Sequence, residues 1–456
     1  MNLQLWEKIQ AFDFDRSYVE YGFTTRLICE QLWTENFTRD AILEYRKFMY
    51  LAATSQEMVS PSAIVDIVWH QHLIFTKSYD EFCHILGKDI QHIPSTHNRE
   101  EKQLFRLAKD RTKRIYAEVF GEQPPEIWDA VSIYDPLGLK ETKSGIELFY
   151  GLGIFVMLLL VTPVSALLAP VYVGLQNPDF IIGYLIIVAL VVAGLELFNR
   201  NYYRQTLARF PSYAFLFKLI PEEVIFLRTG KPDNLLNLTM SNLVERKDVV
   251  IQDDFTITAS ESASAENLRE HQILDVLKVV GRTRYADVLP AIAARPVFNR
   301  VVLSMNALQE YWSRTKRFAL LFYINFIILA LTLTAGGSRV VLGLQRDKPV
   351  SLIVAVMLIL LVAAGWYLAR LRKSFCSEYL PGYYRTEIVP ALEDSSNFEW
   401  QYFLLGTAVL NSSFTPVVDD MNKSGDWSGD SGGSSSDSSC GSSDGGGGCG
   451  GCGGGD

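Results

Sequence analysis

The sequence predicts a mainly α-helical, multi-span membrane protein with a helical N-terminal soluble domain, a small winged-helix-like α+β domain between two pairs of spans, and a disordered tail. Three observations carry this expectation. Four apolar runs are each long enough for a helix to cross the hydrocarbon core, which takes about 20 residues. The polar stretches before and between them repeat apolar residues at helical spacing. The residues from 419 onward are almost wholly Ser, Gly and Asp.

Composition agrees. Apolar residues make up 48% of the 456, and mean hydropathy is positive in spite of that tail. Of the net charge of −9, residues 419–456 supply −6, from seven Asp against Lys423 alone. The remainder is only mildly acidic and offers no broad basic surface of the kind nucleic acid needs. The opening MNLQLWEKIQAFDFDRSYVEYG has early acids and no apolar core, so no signal peptide is expected there. Cys29, Cys83 and Cys376 stand alone and Cys440, Cys449 and Cys452 lie in the tail. That is not a disulfide framework, and reduced thiols in a cytoplasmic setting are expected.

Residues 1–135 read as a helical cytoplasmic domain. Apolar residues recur at helical spacing through FTRDAILEYRKFMYLAA, and SPSAIVDIVWHQHLIF opens on a Ser/Pro start signal. In the second stretch apolar side chains cover nearly every face, which predicts a helix at the centre of its domain. Residues 146–198 hold the first two spans, about Leu148 to Ala169, interrupted by Pro163, and about Phe180 to Leu197. The block 200–316 carries the helices LIPEEVIFLRTGK and LLNLTMSNLVERK and then the alternating pair DVVIQDDFTITA. Helix, helix, hairpin resembles a winged helix. From Leu219 to Ala259 seven acids outnumber four bases, so a protein-binding or structural module is expected and DNA binding is not. Residues 317–370 hold the third and fourth spans, about Phe318 to Ala335 and Val350 to Ala369. A juxtamembrane segment, 371–418, leads to the tail at 419–456. With so little to bury, that tail is expected to be disordered.

Basic residues flanking the spans predict both termini in the cytoplasm. Lys140 and Lys143 precede the first span, and Arg200, Arg204 and Arg209 follow the second. Arg314, Lys316 and Arg317 precede the third, and Arg370, Arg372 and Lys373 follow the fourth. The 336–349 loop conflicts, because Arg339, Arg346 and Lys348 fall on the outside. Intramembrane polar side chains are few. Asn325 is expected to bond a neighbouring helix, and transport is weakly disfavoured.

Chemistry concentrates in VDIVWHQHLIFTKSYDEFCHILGKDIQHIP. Asp66 and His70, four apart, share a helical face, whereas His70 and His72 point apart. A metal site therefore needs a ligand from elsewhere. His92, beyond a helix end at Gly87, is the first candidate, with His72, Cys83 and His84 behind it. A carboxylate beside an imidazole suits zinc. The alternative is a buried, mutually satisfied Asp66–His70 pair with Trp69 and Tyr79 as core aromatics, and that structural reading is preferred. No hydrolase or phosphate-loop motif accompanies the cluster. Cys449-Gly-Gly-Cys452 has zinc or redox spacing but lies in a glycine tract, and reads as compositional.

The pattern Asp66-x-x-Trp69-His70-x-His72, with Tyr79, Gly87 and His92 in IQHIP, resembles the core of the glycine-rich-domain protein family over about residues 20–100. That family's pattern does not include Cys83 or His84. SGIELFYGLGIF, LIPEEVIFLRTGK and the closing GGGGCGGCGGGD resemble a family of uncharacterised bacterial membrane proteins with Gly/Cys-rich tails. Together the resemblances imply a bacterial inner-membrane protein and bring no mechanism. The function expected is a non-enzymatic, membrane-anchored interaction or assembly protein, with the lipid bilayer and an unidentified protein as partners. The rival is a metal-dependent sensor or enzyme using Asp66, His70 and His92.

Overall fold

The computed structural model describes residues 1–15, 19–93, 99–142, 146–176, 179–392 and 397–425. The expected disordered tail and its cysteines lie outside them, apart from its first few residues, which close a helix. The N-terminal region contains α1 (Leu3–Ala11), α2 (Phe23–Gln31), α3 (Glu35–Thr54), α4 (Ala63–Ile74), α5 (Thr76–Leu86), α6 (Arg99–Phe120) and the short α7 (Pro125–Trp128). Polar side chains stitch this helical array. Arg46 of α3 donates to the carbonyls of Gln10 (2.8 Å) and Phe12 (2.7 Å), closing the open end of α1. Buried Glu44 accepts from Lys47, Tyr116 and Trp128, each at 2.7 Å, tying α3 to α6 and α7.

Two long helices follow, α8 (Ile146–Gly174) and α9 (Asp179–Leu207). The middle block holds α10 (Pro221–Thr229), α11 (Asp233–Glu245), β1 (Val249–Ile251), β2 (Thr256–Ala259), α12 (Leu268–Val280), β3 (Thr283–Arg284), α13 (Tyr285–Ala293) and α14 (Pro296–Arg314). The expected hairpin pairs Val249 with Ala259. A third antiparallel strand, β3, joins β2 only after α12, giving the order β1-β2-β3. Then come α15 (Lys316–Gln345), α16 (Ser351–Ser374), α17 (Leu380–Tyr383), α18 (Phe398–Leu405) and α19 (Thr415–Gly425).

The three polar regions, read from the sequence as separate, share one continuous hydrophobic core. Arg300 of α14 pairs with Glu35 at 2.8 Å, and Lys218 reaches Glu126 (3.1 Å) and Asp40 (3.3 Å). Fully buried Glu223 accepts from its own helix start at Ile220 (3.0 Å) and from the start of α3 at Glu35 (2.8 Å); burial pushes its carboxyl up to about 8. Tyr384, past α16, donates to the Leu216 carbonyl (2.9 Å) and accepts from the Leu219 amide (2.7 Å). Asn411 donates to Ser241 at 3.0 Å. Apart from the Ile220–Glu223 cap, these links join segments distant in sequence, so the soluble body is built from all three.

Among the described residues, four helices are long and apolar enough to cross a membrane: α8, α9, α15 and α16, the last continuing through wide π-type turns to Ala391. They exceed the lengths expected. Pro163 and Pro170 lie inside α8 without ending it, as helices of membrane-spanning length with packed neighbours allow. The α13–α14 pair, bent by 66°, is apolar enough to be considered with them. It instead contributes Val297, Phe298, Val301, Met305 and Trp312 to the soluble core. A short bridge, with Thr142 donating to the Arg314 carbonyl and Lys316 to that of Lys140 (both 2.8 Å), pins the starts of α8 and α15 together.

Close approach and amide bonding hold the bundle. A Cβ on Gly153 would meet Phe326 at 2.3 Å, and one on Gly336 would meet Met357 at 2.4 Å, so both glycines admit a neighbouring helix. Asn325 bonds a neighbouring helix, as the sequence suggests. It donates to Asn199 (2.8 Å) and to its own helix at Leu321 (2.8 Å). Asn199 donates back (3.0 Å) and also to Tyr367 (2.9 Å), linking α9, α15 and α16. The 336–349 loop differs from expectation, because α15 runs on to Gln345. Arg339 lies on that helix and donates to the final carbonyls of α8, at Tyr172 and at Leu175 (2.7 Å for the latter).

Candidate metal site

The histidine-rich stretch folds as two helices. Ser62 caps α4, accepting from the Val65 amide at 3.1 Å. The helix ends at Phe75, where the backbone leaves helical geometry and α5 begins at Thr76. Gly87, in the left-handed region at φ 69°, ends α5 and turns the chain back toward α4.

That turn returns His92 to α4. His92 Nε2 lies 3.0 Å from Asp66 Oδ1, and His70 Nε2 lies 3.6 Å from Asp66 Oδ2. The two imidazoles meet edge to face with centroids 4.3 Å apart. One ligand atom from each of the three residues falls within 4.8 Å of the others, so all fit within about 2.8 Å of one centre, close to metal bonds of roughly 2.0–2.2 Å.

The segment bearing His92 is braced. The Trp69 ring packs against it at 4.6 Å, the Trp69 indole donates to the Tyr79 hydroxyl at 3.1 Å, and that hydroxyl donates to the Ile90 carbonyl. Lys88 donates to the carbonyls of Ala52 (2.8 Å) and Ser55 (3.2 Å). Trp69 and Tyr79 are therefore positioning groups as well as core aromatics, a role that only the return of the chain after Gly87 reveals.

Two expectations need correction. First, Asp66 and His70 are not a buried pair; their side chains are 39% and 49% exposed. They line a cavity of about 720 Å³ walled also by Phe48, Trp69, Ile90 and Phe105. Only one side of α4 enters the core, so it is not enclosed on every face, and Ile74 is also exposed. Burial therefore does not force the two side chains together. Second, His72 does not join the cluster. It is fully buried, its Nδ1 2.9 Å from the Tyr45 hydroxyl and its Nε2 3.1 Å from the Ser78 hydroxyl. Phe14, Phe23 and Phe82 surround it. Burial pulls its pKa down to about 3, which fixes it neutral. Cys83 is buried and His84 exposed, and neither joins the group of three.

Two imidazoles and one carboxylate on one side of a cavity form a half-open donor set. Nitrogen and oxygen ligands of this kind suit zinc, iron(II) or other first-row divalent ions, and leave coordination positions facing the cavity. A family model described as UCP032817-like matches residues 10–114, a span that includes Asp66, His70, His72 and His92. No curated protein and no solved structure matches the chain.

Proposed function

We propose that this protein is a membrane-anchored metal-binding protein, with Asp66, His70 and His92 holding one divalent transition-metal ion at the mouth of a cavity. The observation that carries this reading is the return of His92, from 22 residues beyond His70, to the Asp66–His70 face within ligand distance. When bound, the ion would offer Lewis-acid chemistry to a molecule in the cavity. The chain's own part is to orient it: Asp66 presents both oxygens between the imidazoles, while Trp69 and Tyr79 fix the segment bearing His92. A metal-dependent sensor is the simplest form of this function, and zinc the simplest ion.

The placement proposed is a bacterial inner membrane with both termini cytoplasmic. Its support is the clustering of Arg200, Arg204, Arg209, Arg317, Arg372 and Lys373 at the bundle end that carries the soluble body. The resemblance to bacterial membrane proteins with Gly/Cys-rich tails points the same way.

The experiment is elemental analysis of the full-length protein purified without chelators, beside His70→Ala and a variant ending after residue 425. One ion per chain in wild type and in the shortened protein, lost in His70→Ala, supports the reading. Metal content unaffected by His70→Ala, or no stoichiometric metal, overturns it.

A second reading, an interaction or assembly protein, is favoured by Val250, Phe255, Val279 and Val280, which expose 40–87% of their surface in the winged-helix-like block. In that reading the block docks a protein partner at the membrane. Loss of a co-purifying protein on Phe255→Ser with Val279→Ser would distinguish it, because neither change touches the metal ligands.

A further inference from the structure

The end of the bundle remote from the soluble body holds a second site. There the last turn of α8, the end of α15 and the start of α16 enclose a cavity of about 490 Å³, lined by Tyr172, Gln176, Arg339, Arg346, Lys348 and Val350 among others. Among the described residues, three cations line it and no acid does. Asp179 and Asp347 are near in sequence, but neither is among the lining residues.

Each wall has a structural cause. Arg339 is held by the α8 carbonyls and lies 4.9 Å from the centre of the Phe180 ring, so its guanidinium is fixed before any ligand arrives. The turn after α15 is equally defined. Asp347 takes a left-handed conformation (φ 51°), and the amides of Arg346 (3.2 Å) and Lys348 (2.9 Å) both donate to the Gly343 carbonyl. A Cβ on Gly343 would meet Val350 at 2.4 Å, so glycine lets this turn close against α16. The N-cap of α16 is Val350, whose side chain supplies no capping oxygen, and its first turn has no acid. Its opening amides therefore add partial positive charge to the same cavity.

We propose that this cavity binds a phosphate group, with Arg346 and Lys348 as its contacting cations and Arg339 as a fixed third charge. A basic pocket between helix ends at a bilayer surface suits the headgroup of an anionic phospholipid. The same chemistry would also accept free phosphate. Phosphate binding removes the conflict in the charge pattern: Arg346 and Lys348 stay on the face that basic residues ordinarily avoid because their counter-ion is there.

The test uses full-length protein in detergent, delipidated, with phosphatidylglycerol, phosphatidylcholine or inorganic phosphate added, and bound adducts counted by native mass spectrometry. Arg346→Gln with Lys348→Gln is the variant; both side chains are exposed, so the fold is retained. Wild type should retain phosphatidylglycerol over phosphatidylcholine, and the variant should bind it roughly tenfold or more weakly, as two lost surface cations imply. Displacement of that lipid by millimolar inorganic phosphate, or retention of phosphate alone, would identify free phosphate as the source. Equal phosphatidylglycerol binding by wild type and variant, or no anion bound by either, overturns the proposal.

Discussion

His70 and His72 are separated by one residue on the same helix, yet they occupy opposite kinds of environment. His72 is sealed among phenylalanines with both ring nitrogens paired to hydroxyls. His70 is half exposed at a cavity, beside one carboxylate and a second imidazole. The contrast separates a histidine that serves the fold from one that is free to serve a ligand. Residue type and sequence proximity do not distinguish them; enclosure and the identity of the partners do.

The largest expected effect tests the sealed side. His72→Ala should cost about 3 kcal/mol, from the cavity left and from the Tyr45 and Ser78 hydroxyls deprived of a partner. Chemical denaturation of the full-length protein in detergent measures it. His70→Ala should shift the same midpoint by less than about 0.5 kcal/mol. Similar costs for the two would break the comparison.

Acid sharpens it. The His72 pKa falls from the ordinary 6.5 to about 3 in the folded protein, so below 6.5 the unfolded chain takes up a proton that the folded one refuses. Its contribution is complete above pH 6.5 and is lost as pH drops toward 3, at about 1.4 kcal/mol per unit. His72→Gln should flatten that slope in denaturation curves recorded between pH 6.5 and 4.

Smaller effects probe how each environment is built. Tyr79→Phe removes the hydroxyl that joins Trp69 to Ile90, and should weaken metal affinity about tenfold through looser placement of His92. A competition titration against a chromophoric chelator reads it. Asn325→Leu should cost about 1.2 kcal/mol, at about 0.6 kcal/mol for each of its two hydrogen bonds with Asn199 on the neighbouring helix, and should leave metal affinity unchanged.

Much of this was legible in the sequence. Period and length placed the four long helices, the helix that bears Asp66 and the one before it, the Gly87 stop and the 248–259 hairpin, because each rests on local physics. Asp66 and His70 were legible as a pair from helical spacing alone, and that spacing also set His72 apart. The joining of three soluble regions was not. It depends on single long-range links such as Arg300–Glu35, whose partners are ordinary surface residues in a linear reading. Nor was the openness of the Asp66–His70 face. The apolar run from Ile64 to Phe75 suggested burial all round, while the cavity forms from Phe48, Ile90 and Phe105 on other elements. The bracing by Tyr79 and Lys88 stayed hidden for the same reason.

X-ray absorption at the zinc edge of the zinc-loaded, full-length protein addresses the triad most directly. The account predicts a first shell of two imidazole nitrogens and one carboxylate oxygen at about 2.0–2.2 Å, completed by water. A shell containing sulfur at about 2.3 Å, placing the ion on cysteines, or one of water oxygens alone, would contradict it.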